Sequence, residues 1–313
     1  MNKKDIKIIF IGSADFSLPI LKMLIDNYAV VLTITEEDKP AGRGKKVLAP
    51  PTKKMAQEAG IELLQPEKVK NNEELFNKIR SLNPNLIIVA AYGKILPNEI
   101  LNINQFGCLN VHPSLLPKYR GPSPIQTALF NGDDKTGVSI MRLTAQMDAG
   151  PILAQREITL TGLEKYSDLE KKIAEESARL LDANLIPYLS NELSLQEQNE
   201  NEVSFCTKIV KTDGRINFND TALNVFNKFR AFHKWPGLYC FYKKQKLDLI
   251  DMKKTTVTNN GLPGVVFKQE GHYFVNCNDS ALEIIKVKLE SKKETDVSNF
   301  VNGHQDFIGT TLE

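Results

Sequence analysis

The stretch GCLNVHPSLLPKYRGPSP, residues 107–124, sets Asn110 and His112 two positions apart and places four prolines behind them. In an extended chain alternate side chains share a face, so Asn110 and His112 project to one side while Leu109 and Val111 project to the other. One face is core and the other can be a site. Pro113 donates no ladder hydrogen bond and biases its predecessor toward extended backbone, so the strand is expected to end at His112. An ordered, low-entropy loop follows.

Working outward, the N-terminal half alternates strand-like and helix-like stretches. Ile6–Gly12, Val30–Thr35, Leu86–Ala91 and Cys108–His112 read as buried strands, while Leu18–Asn27, Thr52–Ala59, Asn71–Ser81 and Pro97–Leu101 read as helices. Such alternation predicts a parallel sheet covered by helices, with ligand chemistry beyond the carboxyl ends of the strands. Asn110 and His112 stand at such an end. Gly137–Leu143 and Ile152–Ile158 add strands, and Tyr166–Leu189 repeats apolar residues at helical spacing. Residues 190–206 are polar, acidic and rich in Asn and Gln, and read as a linker. Beyond them one helical segment, Ala222–Phe232, precedes short alternating pieces separated by Gly, Asn and Lys turns, the pattern of a small β-barrel. The expected organisation is thus a Rossmann-like α/β parallel-sheet domain over 1–189, a linker over 190–206, and a β-barrel domain over 207–313.

Composition narrows the chemistry. With 313 residues, 42% hydrophobic and 25% charged, the chain is of ordinary globular type. Its apolar runs are too short to span a bilayer, and no secretory pattern stands at its start, so no membrane role is expected. Cys108, Cys206, Cys240 and Cys277 are widely separated without C-x-x-C spacing, which argues against a zinc ribbon and fits a reducing cytoplasm. No metal is expected. The first strand is followed by a single glycine, Gly12, and lacks the dinucleotide fingerprint; AGRGKK at 41–46 is no Walker loop. Lys39, Arg43, Lys45, Lys46, Lys53 and Lys54 nevertheless gather six cations around that glycine-rich loop, and Lys and Arg outnumber Asp and Glu between Cys206 and Glu294. Two basic regions suit a polyanionic partner.

In MDAGPIL, residues 147–153, Asp148 precedes a Gly-Pro turn into an apolar strand. It is either an ordinary turn former or a carboxylate that reaches back to His112. Together Asn110, His112 and Asp148 would supply a carbonyl-polarising amide, a proton-transferring ring and a carboxylate. That set suits acyl transfer to a neutral amine, and the lack of an activated Ser or Cys favours direct transfer without a covalent intermediate.

The run Asn110–Gly121, NVHPSLLPKYRG, followed by Met147–Ile152, MDAGPI, resembles the 10-formyltetrahydrofolate-dependent formyltransferases. PAGRGKK at 40–46 and the stretch from Cys206-Thr207-Lys208-Ile209 to Trp235-Pro236-Gly237 are similar to those members that formylate charged initiator tRNA. The resemblance implies 10-formyltetrahydrofolate as formyl donor, methionyl initiator tRNA as acceptor and a C-terminal barrel related to OB folds that helps hold the tRNA; a monomer is expected. It also implies catalytic roles for Asn110, His112 and Asp148, a folate site lined by Ser114, Leu115, Leu116 and Pro117, and tRNA contacts from Arg43, Lys45, Lys46 and Lys208. Where family members often carry Asn-Pro before the Trp-Pro pair, this chain has His233-Lys234. The alternative acceptor is a small amine such as an amino sugar nucleotide; a non-enzymatic RNA-binding protein is disfavoured by the intact polar set.

Overall fold

A computed structural model describes residues 2–41, 46–259 and 261–313. Contacts divide the chain into two compact units, the first made of 1–124, 136–158 and 170–206, the second of 125–135, 159–169 and 207–313.

In the first unit the strands are β1 (Lys7–Gly12), β2 (Ala29–Ile34), β3 (Lys39–Ala41), β4 (Lys46–Leu48), β5 (Leu63–Leu64), β6 (Leu86–Ala90), β7 (Cys108–His112), β8 (Lys135–Arg142) and β9 (Ile152–Thr159). Seven of them form one sheet in the order β5-β2-β1-β6-β7-β8-β9, and β3 pairs with β4 as a separate antiparallel ribbon. From β5 through β7 every pair is parallel. β8 runs antiparallel to β7, with His112 opposite Ser139. The alternation that predicts a parallel sheet runs as far as His112; the direction of β8 is not legible in the sequence because both orientations show the same apolar run.

β1 is central and buried on both faces, since Ile8, Ile9, Phe10 and Ile11 are all fully enclosed. A strand covered on both sides cannot alternate apolar with polar residues, which explains its continuous apolar run. On one face Ile9 and Ile11 meet Ile87, Val89 and the apolar stripe of α3 (Glu73–Leu82), namely Leu75, Phe76 and Ile79. Each such side chain contributes about 1.5–3 kcal/mol on burial. The Asn72 side chain caps α3 by accepting from the Leu75 N–H at 3.0 Å, and Asn83 ends it in the left-handed region at φ 46°. The remaining helices of this part of the chain are α1 (Leu18–Asn27), α2 (Pro51–Glu58), α4 (Asn98–Leu101), α5 (Pro124–Asn131) and α6 (Tyr166–Leu189). The chain runs from β1 out to β2 and β5, then returns to β6 and β7 on the other side. That reversal makes the carboxyl ends of β1 and β6 a topological switch point, with the end of β7 next to it.

The second unit carries α7 (Ala222–Phe232) and α8 (Val297–Gly303) with β10 (Leu238–Tyr242), β11 (Gln245–Thr258), β12 (Val266–Gln269), β13 (His272–Asn276), β14 (Ser280–Leu289) and β15 (Thr295–Asp296). Its antiparallel sheet follows β10-β11-β14-β13-β12, with β15 on β14. The free edges are β10 and β12, and residues 310–313 join them. The Val266 N–H donates to the Thr310 carbonyl at 3.0 Å and the Leu312 N–H to that of Gly264 at 2.8 Å, while Phe241 and Glu313 exchange both backbone bonds at 2.7 and 3.0 Å. A closed barrel has no edge left to pair with another chain.

Candidate active site

His112 is the last residue of β7 and Asn110 lies two before it, on the same face, as alternation requires. The side chain of Asn110 is partly exposed and makes no hydrogen bond among the described residues, so its amide is free to meet a ligand. His112 is buried and its ring is held at both ends. Nε2 lies 2.9 Å from the Tyr119 carbonyl, to which it donates as N–H, and Nδ1 lies 3.7 Å from Asp148 Oδ2. A carbonyl can only accept, so this contact fixes the proton of the neutral ring on Nε2 and leaves Nδ1 as the proton acceptor beside the carboxylate. The carboxylate can then stabilise the ring once it is charged.

Asp148 is itself placed by backbone. Its Oδ2 accepts from the Gly121 N–H at 2.8 Å. Gly121 has φ +122°, and a Cβ there would stand 2.4 Å from the Cys206 carbonyl, so only glycine fits. Tyr119 and Asp148 both adopt left-handed backbone, at φ 60° and 51°. Cys206 sits below the loop, with its Sγ accepting from the Ser123 N–H at 3.3 Å. Burial, reinforced by the Asp148 charge, pushes its thiol pKa up. It is an inert core thiol rather than a nucleophile.

The Ser114–Pro117 turn is braced from beneath. The Ser114 hydroxyl donates to the Lys118 carbonyl at 2.6 Å, and Ser139 Oγ accepts from the Leu116 N–H at 3.0 Å while donating to the Ser114 carbonyl at 2.7 Å. Gln155 Nε2 donates to the same Ser139 oxygen and to the Leu116 carbonyl, each at 2.8 Å. Ser114 and Leu116 are buried, and the Leu116–Pro117 peptide is cis. Replacing Ser139 with Ala would leave buried donors unpaired. The expected loss is about 1–3 kcal/mol of stability, read as a lowered thermal midpoint.

Arg120 is 1% exposed and its guanidinium reaches Glu200, Nη2 to Oε1 at 2.7 Å and Nη1 to Oε2 at 3.3 Å. The hydrogen bond from Arg120 holds the Glu200 carboxyl below its ordinary value. A depressed folded-state pKa contributes stability above the unfolded value, near ~4.3, and that contribution is lost as pH falls through the folded value. The expected outcome is a thermal midpoint of Glu200→Gln below wild type at pH 7, the gap closing as pH drops below about 4.

Beside the loop that carries Asp148 lies a hollow of about 360 Å³ lined by Asn98, Leu101, Asn102, Arg142, Thr144 and Pro151. Among the described residues no group of three His, Cys, Asp or Glu side chains could hold a metal ion, and no helix is long and apolar enough to cross a membrane. Of the basic loop, Arg43 and Lys45 lie outside the described residues and Lys46 opens β4. Three of its neighbours are already paired: Lys39 with Glu36 at 2.9 Å, Lys53 with Asp38 at 2.8 Å and Lys54 with Glu58 at 3.7 Å. Lys208 is exposed in the second unit. The sequence reading gave no site role to Tyr119, Gly121 and Cys206; their role follows from backbone geometry, and the hint was their presence in the stretches that carry the family resemblance.

A family model for formyl transferase matches residues 6–185, and a second, for the formyl transferase C-terminal domain, matches residues 208–305. The methionyl-tRNA formyltransferase of Sulfurihydrogenibium sp. (strain YO3AOP1) is 38% identical over 311 residues, covering 98% of this chain and all of that protein. That of Bacillus cereus (strain G9842) is also 38% identical and covers 98% of both chains. Among solved structures, HypX from Aquifex aeolicus in complex with tetrahydrofolic acid superposes with a TM-score of 0.64 at 16% identity, over 96% of this chain and 48% of that one. The N-formyltransferase from Helicobacter canadensis with folinic acid and dTDP-3-aminofucose gives 0.62 at 18% identity, over 93% and 100%. These last two likenesses concern the fold. By both family models and by relatives matched along nearly its whole length, the chain belongs to the formyl transferase family.

Proposed function

We propose that the protein moves the formyl group of 10-formyltetrahydrofolate onto the α-amino group of methionyl initiator tRNA. The observation that carries this reading is the ring of His112, pinned through Nε2 so that Nδ1 faces Asp148, with the unengaged amide of Asn110 on the same face. In the transfer the amine nitrogen bonds to the formyl carbon and the donor carbon–nitrogen bond breaks. One proton leaves the amine and one arrives on the donor nitrogen. Asn110 donates to the formyl oxygen as negative charge develops there, and the His112–Asp148 pair takes and returns the proton. The folate lies along the Ser114–Pro117 turn, whose backbone is held rigid by Ser139 and Gln155. Arg43, Lys45, Lys46 and Lys208, together with residues 207–313, hold the tRNA.

The acceptor assignment is supported by the names of full-length relatives at 36–38% identity. Four free, buried thiols suit work in a reducing cytoplasm. The test is formyl transfer measured with charged initiator tRNA, charged elongator tRNA and an amino sugar nucleotide. Turnover with initiator tRNA well above the other two is expected, with tRNA binding that weakens steeply as salt rises. Preference for the sugar would transfer the site to a small amine.

A further inference from the structure

Residues 196–206 lie along the site as a strap. Ile152 and Gln196 exchange backbone bonds at 2.7 and 2.8 Å, the Arg120 N–H donates to the Ser204 carbonyl at 2.9 Å, and the Cys206 N–H donates to that of Arg120 at 2.9 Å. Between these ties sits Gln198, 8% exposed, with every hydrogen-bonding group of its carboxamide engaged. Nε2 donates to the Asp148 carbonyl at 2.8 Å and to the Gly150 carbonyl at 2.7 Å. Oε1 accepts from Arg120 Nε at 3.1 Å and Nη2 at 2.9 Å. A guanidinium only donates, so buried Arg120 decides which end of the amide faces Asp148. The amide has one satisfied orientation.

Asp148 needs such a hold. Its backbone lies at φ 51°, a region that residues other than glycine seldom adopt. Its carboxylate is gripped by the Gly121 N–H and its carbonyl by Gln198. Gly150 packs closely against the neighbouring strand, since a Cβ there would stand 1.8 Å from the Arg142 carbonyl. Release of the carbonyl grip would let the backbone relax toward common φ values and swing the carboxylate away from His112 Nδ1.

We propose that Gln198 is a positioning residue that sets the Asp148 carboxylate against His112, so that the strap between the two family-matched regions is part of the catalytic apparatus. This rests on the reading of Asp148 as a proton-handling group. The experiment compares Gln198→Met, which removes both donors at similar length, and Gln198→Glu, which turns an oxygen toward the two carbonyls, in the full chain. Both are expected to lower kcat by about 10–100-fold, with KM for donor and acceptor changed less than about threefold. Tetrahydrofolate binding, measured by calorimetry, should stay within about threefold of wild type. In an Asp148→Asn background, Gln198→Met should cost less than about twofold more, since the group it positions is already gone. Wild-type kcat in both variants, an undiminished effect in the Asp148→Asn background, or loss of folate binding in both variants would overturn the proposal. Full activity of Asp148→Asn alone would instead remove the reading of Asp148 on which it rests.

Discussion

Asp148→Asn will lower the turnover of formyl transfer by about a thousandfold, within the range observed for loss of a positioned acid–base group. The substitution keeps volume and an oxygen to accept the Gly121 N–H, so the loop keeps its shape. What it deletes is the negative charge 3.7 Å from His112 Nδ1. Without that charge a protonated ring has lost its partner, and an amide turned the wrong way would present N–H to the nitrogen that should be accepting. KM for the formyl donor should change little, because the lost interaction matters chiefly as charge develops. Steady-state kinetics with a thermal scan of both proteins decide the matter. An unchanged midpoint with unchanged turnover would take Asp148 out of the chemistry.

Removal of residues 310–313 is the second large effect, and it concerns stability. Those residues supply four backbone bonds that close the sheet between β10 and β12, and they bury Leu312. Truncating a buried Leu alone costs about 2–5 kcal/mol, and uncovering two edge strands adds unpaired donors and acceptors. A shortened protein should unfold its second unit many degrees below wild type and associate through the opened edges. Calorimetry and light scattering report the two consequences. A milder form, Leu312→Ala, keeps the backbone bonds and should lose about 3 kcal/mol. An unaltered melting profile in both variants would mean that closure by this segment is not what stabilises the barrel.

Much of the architecture could be read from residues alone because it rests on local periodicity. α1 and α6 occupy the spans that apolar spacing predicts, Leu18–Asn27 and Tyr166–Leu189, and β7 ends at His112 as Pro113 requires. α5 and α8 escaped, the first for its setting among prolines and glycine, the second for having barely two turns. The antiparallel course of β8 and the closure of the barrel by 310–313 are relations between distant segments, which carry no periodic mark. In the site, alternation puts Asn110 and His112 together on one face. The approach of Asp148 depends on left-handed backbone at Tyr119 and Asp148 and on the absent side chain of Gly121, and none of these shows as a pattern. The polar composition that marks 190–206 as a linker is also what lets Gln198 and Glu200 meet a buried arginine. Composition alone cannot separate a tether from a strap.

The strap also dictates where this chain can change length. Its backbone bonds at Gln196, Ser204 and Cys206 are counted out in register against Ile152, Pro117 and Arg120. An added or deleted residue between 199 and 203 would shift Phe205 off Arg120 and carry Gln198 away from Asp148. Residues 190–192 are tied to the end of α6 by backbone bonds to Ile186, Tyr188 and Pro187, but residues 193–195 between that cap and Gln196 bear no such register among the described residues. Insertions, fusions and length variation belong there, a few residues from a segment that tolerates none.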